Sequence, residues 1–190
     1  MIETVSQPRP LSHDPIAEAH RQWEAHGWTA EADGMAAVTS LVRAQQIVMA
    51  RVDEALKPSG LTFSRYELLQ LLSFSRSGAL PMAKASARLQ VHPTSVTNTV
   101  DRLQAAGLVV RVPHPSDRRA TLIEITEAGR AAVAAATAEL NAQVFAKPGL
   151  PPDRVRSLLR LLAEFRHEAG DFAIPDDADP SASWDGPAAG

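Results

Sequence analysis

The stretch from Met82 to Thr126 constrains the fold more than any other part of this 190-residue chain. A short helical pattern opens it, and a second helical pattern follows and ends at Gly107. The buried side of that second helix is predicted to be Val96, Val100 and Leu103, which recur at i, i+4 and i+7. Residues 108–112 and 121–125 then resemble two strands joined by a tight loop. A helix, a turn, a helix and a hairpin in this order predict a winged helix-turn-helix.

The outward face of the second helix carries short polar side chains that suit close approach to DNA bases. Hydroxyl and amide groups donate and accept hydrogen bonds without holding the helix backbone away from a base edge. The start of this helix also offers backbone N–H groups and a positive dipole end to a phosphate. The residues predicted for this surface are His92, Thr94, Ser95, Thr97, Asn98 and Arg102.

The hairpin loop carries two adjacent arginines, Arg118 and Arg119, at a tip that Pro113 and Pro115 stiffen. Arginines in this position suit phosphates or the floor of a narrow minor groove. We expect Asp117 to orient them, because phosphate repels its own charge. A polar helix face and a basic hairpin are each also typical of ordinary solvated surfaces. Their order and spacing favour DNA binding.

The other segments are predicted to be mainly helical and to scaffold this stretch. The longest periodic run, from about Ala30 to Leu56, would form a helix about 38 Å long, more than a DNA-binding core needs. Part of it is expected to form a dimer interface or the wall of a pocket. The predicted organisation is a mobile arm (1–13), N-terminal helices (14–57), a winged lobe (58–125), C-terminal dimerisation helices (126–168) and a disordered acidic tail (169–190).

Charge is distributed unevenly along the chain. The net charge is −3, which argues against a protein that coats nucleic acid over its whole surface. Between Met82 and Thr126, however, six basic and three acidic side chains give a net charge of +3. The last twenty residues carry five aspartates and neither lysine nor arginine. Basic charge concentrated in one segment is expected of a specific DNA binder.

Composition excludes several other kinds of site. The chain has no cysteine, which rules out disulfides and thiolate metal sites. No segment reaches the roughly 20 apolar residues of a membrane span, so we expect a cytoplasmic protein without a membrane partner. His20 and Glu24 lie one helical turn apart but have no third ligand nearby in the sequence. Neither a metal nor a cofactor is predicted.

An enzyme is not expected either. The chain has no Gly-rich phosphate loop, no G-x-S-x-G sequence and no H-E-x-x-H sequence. Methyltransferases with a winged-helix domain are the best enzymatic alternative. They need a separate nucleotide-binding sheet domain, for which 190 residues leave no room.

The residues also carry a resemblance to a known family. The run from the second helix through Asp117, Arg119, Thr126, Gly129 and Arg130 resembles the signature of the multiple antibiotic resistance regulator (MarR) family of bacterial transcription factors. The resemblance extends over about residues 35–162. It implies a homodimer with intertwined N- and C-terminal helices and two lobes that read a pseudo-palindromic operator.

The resemblance further assigns individual roles. It implies that Arg119 enters the minor groove and that Thr94, Ser95, Thr97 and Asn98 face bases or phosphates. It also implies that three residues of the preceding helix hold the DNA backbone. These are Lys84, Ser86 and Arg88.

Members of the family commonly bind small aromatic or anionic ligands between the long helix and the winged lobe. The residues that would line such an effector pocket here are Trp23, Met49, Phe63, Tyr66 and Phe74. Aromatic and methionine side chains are also typical of a plain hydrophobic core. The alternative to a ligand-released repressor is therefore a constitutive regulator or an architectural protein without an effector.

Overall fold

The computed structural model describes residues 11–114, 121–174, 179–181 and 184, and most of them are helical. The mainly helical fold with a small β wing is confirmed. The helices and strands in chain order are α1 (Pro15–Ala25), α2 (Thr29–Leu56), α3 (Phe63–Ser73), β1 (Ala79–Pro81), α4 (Met82–Leu89), α5 (Pro93–Ala105), β2 (Val109–Pro113), β3 (Thr121–Ile125), α6 (Glu127–Leu140) and α7 (Pro152–Glu168).

The two N-terminal helices begin and end where the sequence signals predict. The Asp14 side chain caps α1 by accepting a hydrogen bond from the Ile16 N–H at 2.9 Å. The long helix α2 contains 28 residues and packs against α1. It ends in a short 3-10 turn that Gly60 closes at a φ of 65°, a conformation that glycine adopts without strain.

The wing is part of a three-stranded antiparallel sheet rather than the two-stranded hairpin that the sequence predicts. The strand order is β1-β3-β2, and Leu80 of β1 pairs with Ile123 of β3. The sequence does not predict β1, because the strand has only three residues and ends at Pro81, which has no N–H to donate to a neighbouring strand. It leads directly into α4 and so ties that helix to the wing.

The hydrophobic core lies where α3, α5 and α6 meet the sheet. The three residues predicted for the inner side of α5, Val96, Val100 and Leu103, are all buried, as expected. Each fully buried aliphatic side chain of this kind contributes roughly 1.5–3 kcal/mol. Because its inner side is held in this way, α5 presents its outer side rigidly. The largest fully buried side chains include Leu56, Leu68, Leu69, Leu72, Leu103, Ile123 and Leu140.

The end of α6 differs from the continuous α-helix that its alanine-rich sequence predicts. Residues Asn141–Phe145 form a π-helical turn. The Arg51 guanidinium on α2 donates to the Gln143 carbonyl at 3.2 Å and also to the Lys147 carbonyl. These bonds engage carbonyl groups at a helix end, which would otherwise lack partners, and fix the turn against α2.

Two residues of the predicted tail, Asp171 and Phe172, contact the end of α7. The Asp171 carboxylate pairs with Arg166 of α7 at 2.6 Å, and the Phe172 ring lies 5.4 Å from the Arg166 guanidinium carbon. The Gln90 amide donates to the Asp171 carbonyl at 2.9 Å. An ion pair and a cation–π contact thus hold these two residues against α7, and the disorder of 169–190 stays a prediction. The other predicted domain boundaries stay predictions.

Among the described residues, no helix combines the length and apolar character needed to cross a membrane. Those residues also contain no cluster of three or more metal-binding side chains. His20 contacts both Glu24, at 3.5 Å, and Asp33 of α2, at 2.8 Å. The contact with Asp33 joins α1 to α2, whereas Glu24 lies on α1 itself.

Candidate DNA-binding surface

Hydrogen bonds between Ser86 and Val91 stabilise the turn between α4 and α5. Gln90 has a φ of 53° and so adopts the left-handed conformation that reverses the chain. The Ser86 hydroxyl donates to the Val91 carbonyl at 2.6 Å, and the Val91 N–H donates back to the Ser86 carbonyl. The Ser86 hydroxyl is thus engaged inside the turn, and its contact with the DNA backbone stays a prediction. The Ser86 side chain is only 8% exposed and stabilises the turn.

The other predicted residues of α4 and α5 all lie in solvent. Lys84 and Arg88 are exposed one turn apart on α4. The exposed residues at the start and along the outside of α5 are His92, Thr94, Ser95, Thr97, Asn98 and Arg102. The fold thus displays basic and short polar side chains on the two helices of the motif. Their contacts with DNA stay a prediction.

Side chains form hydrogen bonds with the backbone in the first turn of α5. The His92 ring Nδ1 accepts a hydrogen bond from the Thr94 N–H at 3.3 Å, so His92 is the N-cap of the helix. The Thr97 hydroxyl donates to the Pro93 carbonyl at 3.0 Å. Because its proton is used there, the Thr97 oxygen faces a partner as an acceptor, which suits an amino group on a base.

An ion pair that the sequence pattern did not indicate joins α5 to the wing. Arg111 of β2 donates to the Asp101 carboxylate at 2.5 Å and also to the Gln104 amide oxygen. Arg111 thereby balances the negative charge of Asp101, the only acidic residue of α5. Opposite charges on a helix and on the strand that follows it are the signal that could have found it. Partly exposed pairs stabilise by less than about 1 kcal/mol, so its main effect is positional.

The wing loop connects Pro113, where β2 ends, to Thr121, where β3 begins, and these two residues pair in the sheet. Asp117, Arg118 and Arg119 lie outside the described residues. Their predicted places at the loop tip and in the minor groove therefore stay predictions.

The five residues predicted for an effector pocket do not meet in one chamber of the chain. Trp23 lines an apolar groove between α1 and α2. Phe63 and Tyr66 stack at 6.1 Å on α3, where Tyr66 belongs to the core, and Phe74 is 79% exposed beyond the end of α3. Met49 is half-buried on α2. Within one chain these side chains line no common cavity, because α1 packs on α2, away from the helix that follows α2, and the effector pocket stays a prediction.

A small cavity of about 50 Å³ lies behind α5. Glu67 of α3 lines it together with Ser95 and Thr99 of α5. Burial raises the pKa of the Glu67 carboxyl above its ordinary value. Ionisation of this carboxyl is therefore expected to oppose the packing of α3 against α5.

Glu67→Gln is expected to stabilise the protein at neutral pH and to have little effect near pH 4. With a raised pKa in the folded state, the contribution of Glu67 is fully present below its unfolded value of about 4.3. It is lost as pH rises through the folded value. Glutamine does not titrate, so the variant should lack this loss. Thermal unfolding measured across this range checks the prediction.

Glu18 provides the matched control, because hydrogen bonds from Gln22 and Arg21 lower the pKa of its carboxyl. Its contribution is present above the unfolded value and is lost as pH falls through the folded value. Glu18→Gln should therefore change the pH profile in the opposite sense. Profiles of the same sign for both variants contradict the assignment.

Comparison with known proteins agrees with this architecture. The model of the MarR family matches residues 59–120. The HTH-type transcriptional regulator YhbI of Bacillus subtilis is 35% identical over 74 residues, which cover 39% of this chain and 47% of YhbI. The chain thus spans about half the length of the curated relatives that it matches.

Solved structures match over a longer range. Sco5413, a MarR family transcriptional regulator from Streptomyces coelicolor, is 50% identical, with a TM-score of 0.67 over 75% of this chain and 99% of that one. CouR from Rhodococcus jostii RHA1, solved with p-coumaroyl-CoA, is 30% identical, with a TM-score of 0.59 over 70% and 92% of the two chains. The repressor CouR has also been solved on a 23-mer DNA duplex. Because Sco5413 is aligned over nearly its whole length at 50% identity, and the family model matches the winged lobe, this chain belongs to the MarR family of transcriptional regulators.

Proposed function

We propose that this transcriptional regulator is a repressor that binds a pseudo-palindromic operator as a homodimer and is released by a small aromatic or anionic effector. The observation that carries DNA binding is the exposed basic and polar side of α4 and α5 on a rigid, buried support. Short polar side chains on α5 suit base edges, and cations on α4 suit phosphates. The solved DNA complex of the repressor CouR supports the proposal.

The dimer is supported by apolar side chains that one chain leaves in water. Along α2, the exposed positions include Val38, Leu41, Val42 and Val48. On α7, Leu158, Leu161 and Phe165 are exposed at i, i+3 and i+7. Contiguous apolar faces of this kind mark interaction sites in soluble proteins. The exposed faces of these two helices would be buried against a second copy.

The effector is supported by the p-coumaroyl-CoA complex of CouR and by the apolar groove at Trp23. In a dimer, this groove would acquire further walls from the partner. Phenolic acids, purines and acyl-CoA esters are the compounds to test by thermal shift. A compound that both stabilises the protein and releases DNA supports an effector. A constitutive regulator would respond to none of them.

Selection of duplexes from random DNA by the intact protein, followed by footprinting, tests the function directly. A repressor of the proposed kind should enrich one sequence with two related half-sites, about one helical turn or a small multiple of it apart. Failure to enrich any sequence contradicts the proposal.

Asn98→Ala should separate base reading from phosphate binding. We expect it to weaken binding to the selected duplex by about tenfold to a hundredfold, roughly 1–3 kcal/mol for one specific base contact. Binding to a scrambled duplex should hardly change. Arg88→Ala is the matched comparison, because loss of a phosphate contact should weaken both duplexes alike. Competition mobility shifts measure both ratios. Equal losses on the two duplexes for Asn98→Ala would remove that residue from base reading.

A further inference from the structure

A basic groove of about 520 Å³ lies beside the helix-turn-helix, between the turn that follows α3, the helix α4 and the base of the wing. We name it the outer groove. Its cations are Arg76 on the turn and Lys84 and Arg88 on α4, and the imidazole of His114 lines it next to β2. The site so far described uses Lys84 and Arg88 and leaves the rest of the groove without a role.

The side chains of Arg76, Lys84 and Arg88 are available to a ligand. In the described part of the chain, no carboxylate pairs with Arg76, Lys84 or Arg88, and no hydrogen bond engages their side chains. Arg21, Arg111 and Arg166, by contrast, have carboxylate partners. Like charges held near one another without partners repel, and an anion relieves that repulsion.

The groove also has an apolar wall. Phe74 lines it and is 79% exposed, an aromatic side chain in water that the core does not use. Leu80, Pro81 and Leu122 line it from the sheet side. Cations beside apolar surface suit a sugar–phosphate chain, in which each anionic phosphate is joined to a weakly polar deoxyribose.

We propose that the outer groove holds the sugar–phosphate backbone of the operator beyond the bases read by α5, and that Arg76 is a further DNA-contacting residue. Lys84 and Arg88 belong both to the groove and to the exposed side of α4, so the groove continues the DNA-facing surface. The proposal rests on the proposed function and extends its footprint outward. Backbone contacts there set the register of the protein on DNA without reading sequence.

The test uses the intact protein and the duplex that it enriches from random DNA. Arg76→Ala should weaken binding to this duplex by about tenfold. The slope of log affinity against log salt concentration should become shallower by the amount expected for the loss of one phosphate contact per protomer. Arg76→Lys should restore most of the affinity, because an ammonium also neutralises a phosphate. Arg156→Ala, which removes an exposed arginine from α7, is the control and should bind as the wild type does.

Neutral methylphosphonates placed one at a time along each strand then locate the contact. The wild type should lose affinity when the phosphate that faces Arg76 is neutralised, and Arg76→Ala should be insensitive at that position alone. If Arg76→Ala matches the wild type in affinity and at every phosphate, the outer groove proposal is wrong and the proposed function stands. If the wild type does not prefer its enriched duplex to a scrambled one, the proposed function itself fails.

Discussion

Gly129→Ala is expected to lower the free energy of unfolding by about 3 kcal/mol, at the upper end of what forced overpacking costs. A Cβ at this position would lie 2.1 Å from the Leu108 carbonyl oxygen and 2.8 Å from Cγ1 of Ile125. The oxygen cannot retreat freely, because it accepts the Thr126 N–H at 3.1 Å. The first turn of α6 would have to move away from the junction of α5 and β2.

Gly34→Ala is the matched control, since Gly34 also lies inside a helix but has nothing within 4 Å of a new Cβ in its own chain. There, alanine should raise the free energy of unfolding by about 0.5–1 kcal/mol, because it is the better helix former. Denaturant unfolding of both variants measures the difference. Equal changes of the same sign would show that helix propensity, and not the contact with Leu108, governs Gly129.

The same junction shows what the sequence can and cannot supply. Thr126 is predictable as an N-cap, and it does accept the Gly129 N–H at 3.0 Å. Its hydroxyl also donates to the Gly107 carbonyl at 2.8 Å, a contact across nineteen residues that no local pattern indicates. Family resemblance singles out Thr126 and Gly129, but only the fold supplies the reason. They join the last helices to the end of the DNA-facing helix.

Burial is predicted correctly where apolar residues recur over several helical turns. It is predicted less well where contacts between elements decide which side chains are exposed. The inner side of α5 follows from three apolar residues at helical spacing, and all three are buried. Family resemblance places Ser86 among the residues that hold the DNA backbone. Ser86 follows Met82 by one turn, however, and so shares the inward side of α4, where the Val91 carbonyl satisfies its hydroxyl.

The predicted effector pocket depends on more than the presence of aromatic residues. Aromatic content identifies side chains able to wall a cavity, but their meeting depends on how helices pack, and in a dimer also on the partner. Trp23 and Phe74 line separate grooves of one chain. A ligand site that combines them would need either a second copy or a movement of the lobe.

Leu161→Asp is expected to raise the dissociation constant of the proposed dimer by about a thousandfold. Leu161 lies 63% exposed in the middle of the apolar face of α7, between Leu158 and Phe165. In a two-fold interface each substitution occurs twice, and a carboxylate buried there without a partner costs on the order of 2 kcal/mol at each copy, about 4 kcal/mol in total. The fold of one chain should be unaffected, because the side chain does not belong to its core.

Sedimentation over a dilution series measures the dissociation constant, and circular dichroism confirms that the helices persist. DNA affinity should fall in parallel, because a monomer contacts one half-site and loses the gain from binding both. Arg156→Asp is the control. It places the same carboxylate about 140° around α7 from Leu161 at 100° per residue, away from the apolar face. A Leu161→Asp protein that remains dimeric at dilutions where the wild type is dimeric would exclude α7 from the interface. The exposed face of α2 would then have to hold the two DNA-binding lobes together alone.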